Sequence, residues 1–101
     1  MDKVYVIRYR AHEFDDLGYG SFDPIFISLD KSKVQEKFEK IKETDINRLN
    51  KIIKDCFNGV ENEDYHIEEN FEDRFELWMG KWIYEYYIEE YPLDKDITHY
   101  T

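Results

Sequence analysis

The chain has 101 residues, 42% of them hydrophobic and 18% aromatic, with one cysteine and a formal net charge of −10. This length predicts one domain, residues 1–101, and the single thiol excludes an intrachain disulfide and a cysteine-based zinc site. The N-terminal segment lacks the apolar region of a signal peptide, and no stretch is long and apolar enough for a membrane helix. We therefore expect a cytoplasmic protein.

The negative charge lies in the second half of the chain. Residues 1–58 hold 11 acidic and 11 basic side chains, whereas residues 59–101 hold 13 acidic and 3 basic ones. A field with this asymmetry attracts basic surfaces and repels nucleic acid and anionic membranes. The charge distribution therefore favours a basic protein as the partner and disfavours direct binding of nucleic acid.

The first half begins with two predicted strands. Residues 3–10, KVYVIRYR, alternate with a period of two, which is typical of a strand. Residues 25–29, IFISL, form the second strand. The segment 11–24 between them holds two glycines, a proline and several aromatic residues, which predicts a loop.

Two helices are predicted next, over residues 31–43 and 45–58. Asp30 is a suitable N-cap for the first, and Thr44 or Asp45 for the second. Gly59 can take the left-handed conformation that ends a helix. The apolar stripe of the second helix includes Cys56, which we therefore expect to be buried rather than reactive.

The acidic half predicts a short strand near residue 65, a helix and a final strand. Phe71, Phe75, Trp78 and Met79 fall on one helical face, which predicts a helix over 71–79 closed by Gly80.

Residues 82–91 then alternate as a strand, with Tyr84 and Tyr86 pointing inward and Glu85, Tyr87, Glu89 and Tyr91 pointing outward. A single helix over 71–90 is the alternative. The predicted fold class is α+β: a small, mainly antiparallel sheet with two to three helices packed on it.

The acidic side chains are the candidate partner-binding site, because carboxylates spaced along a surface can imitate the phosphates that a nucleic-acid-binding groove recognises. Exposed tyrosines beside them would add packing contacts. A solvated acidic surface that only keeps the protein soluble is the alternative. The candidate residues are Glu61, Glu63, Asp64, Glu68, Glu69, Glu72, Asp73, Glu76, Glu85, Tyr87, Glu89 and Tyr91.

The sequence holds no motif that indicates catalysis or a cofactor. His12 and His66 stand near carboxylates, but neither segment has the paired-histidine spacing of a zinc helix or the pattern of a calcium loop. We therefore predict a protein without catalytic residues, bound metal or cofactor.

Three stretches, KVYVIRYR, IFISLDKSKVQEKFEKI and YYIEEYPLDKD, together resemble a loose class of small α+β proteins from bacteria and their phages. The short, acidic, cysteine-poor make-up is also similar in type to anti-CRISPR proteins, which block a nucleic-acid-binding enzyme by occupying its basic groove. This resemblance implies a stoichiometric inhibitor in the host cytosol, but it assigns no individual residue a role.

The sequence thus predicts a non-enzymatic inhibitor of a nucleic-acid-binding protein, of the nucleic-acid-mimic type, with a homo-oligomer left open. One alternative is an immunity protein that neutralises a nuclease toxin. Another is a small ligand-binding domain that uses the 11–24 loop, with Phe14, Tyr19 and Trp82 around a pocket.

Overall fold

A computed structural model describes residues 3–13 and 21–92 of the chain. The described strands form one five-stranded sheet, antiparallel throughout, in the order β2-β1-β5-β4-β3. One helix crosses one face of this sheet. In chain order the elements are β1 (Lys3–Glu13), β2 (Asp23–Ser28), α1 (Lys31–Cys56), β3 (Tyr65–Asn70), β4 (Arg74–Met79) and β5 (Trp82–Pro92).

The two longest strands, β1 and β5, pair along their whole length at the centre of the sheet, from Lys3 opposite Pro92 to Glu13 opposite Trp82. Their alternation assigns each residue to a face. Tyr84 and Tyr86 pack on the helix side, as predicted, while Glu85 and its neighbours of the same parity face away from it.

Helix α1 has no glycine or proline in its 26 residues, so nothing interrupts it. At its start, the Asp30 carboxylate accepts hydrogen bonds from the backbone amides of Ser32 (2.9 Å) and Lys33 (3.4 Å). At its end, Gly59 has a φ of 79° and its amide donates to the carbonyl of Ile53. The predicted start at residue 31 is therefore confirmed, and the helix ends at Cys56, two residues before the predicted end at 58.

The predicted break between two helices at Thr44 and Asp45 is wrong. Asp45 lies inside α1 and is 6% exposed, with its carboxylate turned toward the sheet beside Tyr86. Burial and this carboxylate raise the pKa of Tyr86 well above its ordinary value. An aspartate that reads as a cap in the sequence thus serves as a buried contact between helix and sheet.

The predicted helix over 71–79 is also wrong, and so is the expectation of two to three helices. Phe75, Leu77 and Met79 alternate into the core from β4, while Phe71 is exposed in the turn that precedes the strand. Gly80, with a φ of 67°, turns the chain between β4 and β5 instead of closing a helix. The sheet therefore gains one strand, β4, where the sequence pattern indicated a helix.

The core lies between α1 and one face of the sheet. Its fully buried side chains come from β1, β4 and the helix, and Tyr84, Tyr86 and Ile88 of β5 pack against them. The cluster comprises Ile7, Val34, Phe38, Leu49, Ile53, Phe75, Leu77 and Met79. The opposite face of the sheet carries no helix among the described residues, and we call it the open face.

Candidate partner-binding surface

The open face carries charged and aromatic side chains from four strands. Register pairs Glu69 of β3 with Glu76 of β4, Glu76 with Glu85 of β5, and Glu85 with Arg10 of β1. Since directly opposite side chains in adjacent strands lie about 5 Å apart, three carboxylates and one guanidinium form a row across the sheet. This row joins an acidic side of the open face to a side that carries arginines.

On the arginine side, the carboxylates are neutralised. Glu85 Oε2 accepts hydrogen bonds from Arg10 Nε (2.9 Å), Arg10 Nη2 (2.6 Å) and His12 Nε2 (2.9 Å). All three side chains are at least three-quarters buried. Arg10 also lies over the ring of Phe22, which meets Tyr87 edge to face at 4.8 Å. Glu85 is therefore held inside the protein's own network.

Glu89 belongs to a similar network. Arg8 Nε donates to Glu89 Oε1, and Arg8 Nη2 donates to the Tyr91 hydroxyl at 3.3 Å. Burial alone would raise the pKa of Glu89, but hydrogen bonds from Tyr91 and Arg8 lower it. Burial and the Glu89 charge raise the pKa of Tyr87, so its phenol stays neutral. These groups offer a partner the neutral phenol of Tyr87 and an already compensated carboxylate.

On the acidic side, the carboxylates lack such compensation. We call the eight acidic residues between positions 61 and 76 the acidic edge; two of them, Glu72 and Asp73, lie toward the helix and line a pocket with Lys31 of α1. None of the eight makes an ion pair with a lysine or arginine of residues 3–13 or 21–92; Glu68 pairs with His66 at 3.4 Å, and Glu61 accepts from the backbone amide of Ile67. The acidic edge comprises Glu61, Glu63, Asp64, Glu68, Glu69, Glu72, Asp73 and Glu76.

The pKa of Glu76 reflects both its burial and the negative charges around it. Trp78 Nε1 donates to Glu76 Oε2 at 2.7 Å, which favours the ionised form. Burial nevertheless raises the pKa of Glu76, and the nearby charges of Glu85, Glu69 and Glu68 add to that rise. An approaching cation would relieve this repulsion.

The acidic edge follows β3, the outermost described strand on its side of the sheet. Three members precede β3, two lie within it, two occupy the turn to β4, and Glu76 lies on β4. The remaining predicted residues, Glu85, Tyr87, Glu89 and Tyr91, lie on β5 at the sheet centre. The twelve candidates therefore divide into an uncompensated edge and a compensated centre that touch at Glu76 and Glu85.

Sequence reasoning missed the partners of the central group. The alternation in β1 already showed that Arg8 and Arg10 share a face away from the core, but nothing in the sequence indicated which carboxylates they meet. Arg10 and Glu85 line an open-face cleft of about 370 Å³ together with Phe22, Arg74 and Tyr87.

Two other sequence predictions concern Cys56 and the proposed ligand pocket around Trp82. Cys56 is exposed, so the prediction that it is buried is wrong. Phe14 and Tyr19, proposed for a ligand pocket with Trp82, lie outside the described residues.

Residues 3–13 and 21–92 contain no group of three or more histidine, cysteine or acidic side chains placed to hold a metal ion. In the same part of the chain, no helix is long and apolar enough to cross a membrane. Comparison of the chain with protein families, curated proteins and solved structures gave no match.

Proposed function

We propose that this protein is a non-enzymatic inhibitor that binds a nucleic-acid-binding protein by placing the acidic edge on its basic surface. The observation that supports the proposal most directly is that the eight carboxylates of the acidic edge have no lysine or arginine partner among the described residues. At the centre of the sheet, by contrast, Arg8 and Arg10 compensate Glu89 and Glu85. The acidic edge is therefore the surface that we propose binds the partner.

The carboxylates of the acidic edge follow one another along β3 and its turns, as phosphates follow one another along a nucleic acid. Six-residue β3 spans about 20 Å at about 3.3 Å per residue, and the acidic edge distributes its carboxylates along this strand and the adjoining turns. Double-stranded DNA carries one charge per about 1.7 Å of axis. A groove lined with lysine and arginine would therefore meet a row of negative charges that is less dense than the phosphates of DNA.

The remainder of the chain gives this charge a direction. The first 58 residues sum to zero, and the negative charge of −10 comes from residues 59–101. Such a field orients the protein as it approaches a basic surface and raises the association rate. Half-buried Trp78, Tyr87 and Tyr91 lie on the same open face and supply the packing contacts that charge alone does not. A phage anti-defence role fits this mechanism.

The proposal is tested by reversing two negative charges at each of two places on the protein. Glu63→Lys with Asp73→Lys reverses two exposed residues of the acidic edge, and Glu43→Lys with Asp55→Lys reverses two exposed residues of α1 as the matched control. Tagged wild-type protein and both variants are used to capture partners from a lysate of the encoding host at low and high salt. Each captured protein is then assayed for nucleic-acid binding by fluorescence anisotropy.

We expect wild type and the α1 control to retain a nucleic-acid-binding protein at low salt and to block its binding to nucleic acid. The acidic-edge variant should fail in both measurements. Equal loss in both variants would show that only net charge matters, and a captured protein that still binds nucleic acid normally would contradict inhibition.

A further inference from the structure

Strand β2 exposes apolar side chains along the other edge of the sheet. Ile25 is 44% exposed, Ile27 60% and Leu29 64%, so three of the six large exposed hydrophobics of the described chain lie within five consecutive residues. Among the described strands, β2 pairs only with β1. An unpaired backbone edge combined with exposed apolar side chains is a surface suited to strand pairing.

The charges around β2 favour a second copy of this chain as the occupant. Three acidic and three basic residues flank this edge, so their charges sum to zero: Asp23, Asp30, Glu36, Lys33, Lys37 and Lys40. Two copies can therefore approach each other at β2 without net repulsion. At the opposite edge, by contrast, two acidic edges would repel each other, which leaves β2 as the edge where the chain can meet itself.

We propose that two copies pair β2 with β2 in antiparallel orientation and form a continuous ten-stranded sheet. A two-fold axis perpendicular to the sheet produces this antiparallel pairing and keeps both helices on the same face. If β2 of one copy paired instead with β3 of another, with both helices on the same face of the sheet, the two strands would run parallel. Parallel pairing is slightly less stable per residue. It would also leave both ends open to further copies.

The flank of α1 beside β2 is complementary to itself about this axis. Phe26 of β2 lines a surface pocket with Lys33, Glu36, Lys37 and Lys40, so Phe26 lies level with the middle of this flank. An axis at Phe26 would turn the two helices antiparallel and set Glu36 of each copy, which pairs with Lys40 of its own helix at 3.5 Å, near Lys37 of the other. The symmetric contact thus contains two equivalent ion pairs beside the apolar strands.

The pairing is confined to one part of β2. Pro24 has no amide to donate, and the register between β1 and β2 shifts at Ile7 and Arg8, next to Pro24. About an axis at Phe26, Ile25 of each copy lies opposite Ile27 of the other, so the pairing is centred on residues 25–27. This arrangement leaves the two acidic edges free at the far ends of the ten-stranded sheet, and it does not depend on the function proposed for them.

Sedimentation equilibrium on the full chain, from micromolar to millimolar concentration, tests the proposal. We expect the mass to rise from 12.5 kDa toward that of two chains. Ile27→Lys should raise the dimer dissociation constant at least about tenfold by placing charge in the strand contact. Val60→Lys, at a side chain 65% exposed away from β2, is the matched control and should leave the constant unchanged. Circular dichroism verifies that both variants are folded.

A charge swap tests the symmetry. Glu36→Lys should weaken the dimer several-fold, and adding Lys37→Glu should restore it, because the two partners exchange places across the axis. The proposal is overturned by a mass that stays at one chain, by a mass that grows beyond two chains, or by failure of the double variant to recover. Equal weakening by Val60→Lys would also overturn it. Hydrogen exchange that slows at residues 25–29 with rising wild-type concentration would support it independently.

Discussion

Replacing Glu85 by alanine distinguishes a structural carboxylate from a partner-binding one. The change removes the acceptor of three hydrogen bonds, two from Arg10 and one from His12, at 2.6 to 2.9 Å. Arg10, which is 17% exposed, loses its hydrogen bonds to Glu85. Breaking a buried pair from one side costs about 3–5 kcal/mol, and hydrogen bonds to charged groups contribute about 1.5–3 kcal/mol each. Because Glu85 is still one-fifth exposed, we expect a loss of about 2–3 kcal/mol.

Urea unfolding followed by tyrosine and tryptophan fluorescence measures this loss. At an m-value of about 1.2 kcal/mol/M, the unfolding midpoint should fall by about 2 M. Glu90→Ala is the control, because its ion pair with Lys3 is about half exposed and should contribute at most about 1 kcal/mol. A double-mutant cycle with Arg10→Ala should then give a coupling energy of about 1–2 kcal/mol.

Two results would refute the reasoning about Glu85. If Glu85→Ala and Glu90→Ala lowered the free energy of unfolding equally, burial of the network would not matter. If Glu85→Ala left the stability intact but abolished partner capture, Glu85 would belong to the binding surface and not to the structural network.

Three further measurements follow from particular residues. Gly80→Ala should lower the free energy of unfolding by about 1–2 kcal/mol, because Gly80 has a positive φ. The loss should exceed that of Gly59→Ala, because only at Gly80 would the added Cβ meet the Tyr65 hydroxyl, at 3.1 Å. Equal losses in thermal unfolding would contradict that contact. The raised pKa of Glu76 means that its protonated form contributes stability at acid pH that is lost as pH rises through the folded-state pKa. Glu76→Gln should therefore stabilise the protein at pH 7 and lose this advantage at acid pH, and a pH-independent difference in urea unfolding would refute the assignment. Cys56 should react with a thiol reagent in the native state at nearly its rate in urea, whereas protection would contradict its exposure.

The sequence by itself determined the parts of the fold that depend on local pattern. Alternation predicted strands where β1, β2 and β5 lie, and Asp30 and Gly59 indicated the two ends of the helical region, because capping and left-handed backbone are properties of a few adjacent residues. Period two also separated inward Tyr84 and Tyr86 from the residues that face away from the helix. The confinement of net charge to residues 59–101 needed no structure at all.

Only the tertiary structure decided the cases in which two local patterns compete. Phe71, Phe75 and Met79 fit a helix, but Phe75, Leu77 and Met79 fit a strand equally well, and pairing of β4 with both β3 and β5 selects the strand. The sequence around Asp45 is typical of a helix cap, but in the structure Asp45 lies inside α1 beside Tyr86 of the sheet. Local propensity cannot resolve such cases, because the deciding contacts join residues far apart in the chain.

The division of the candidate surface is also a tertiary property. All twelve predicted residues look alike in the sequence, as carboxylates and phenols of the acidic half. Long-range pairing of β1 with β5 brings Arg8 and Arg10 to Glu89 and Glu85, some 80 residues away, and neutralises them. Among the described strands, β3 pairs only with β4, and no lysine or arginine of the described residues forms an ion pair with the acidic edge. Composition determined how much negative charge the protein carries, and strand order determined where that charge is available to a partner.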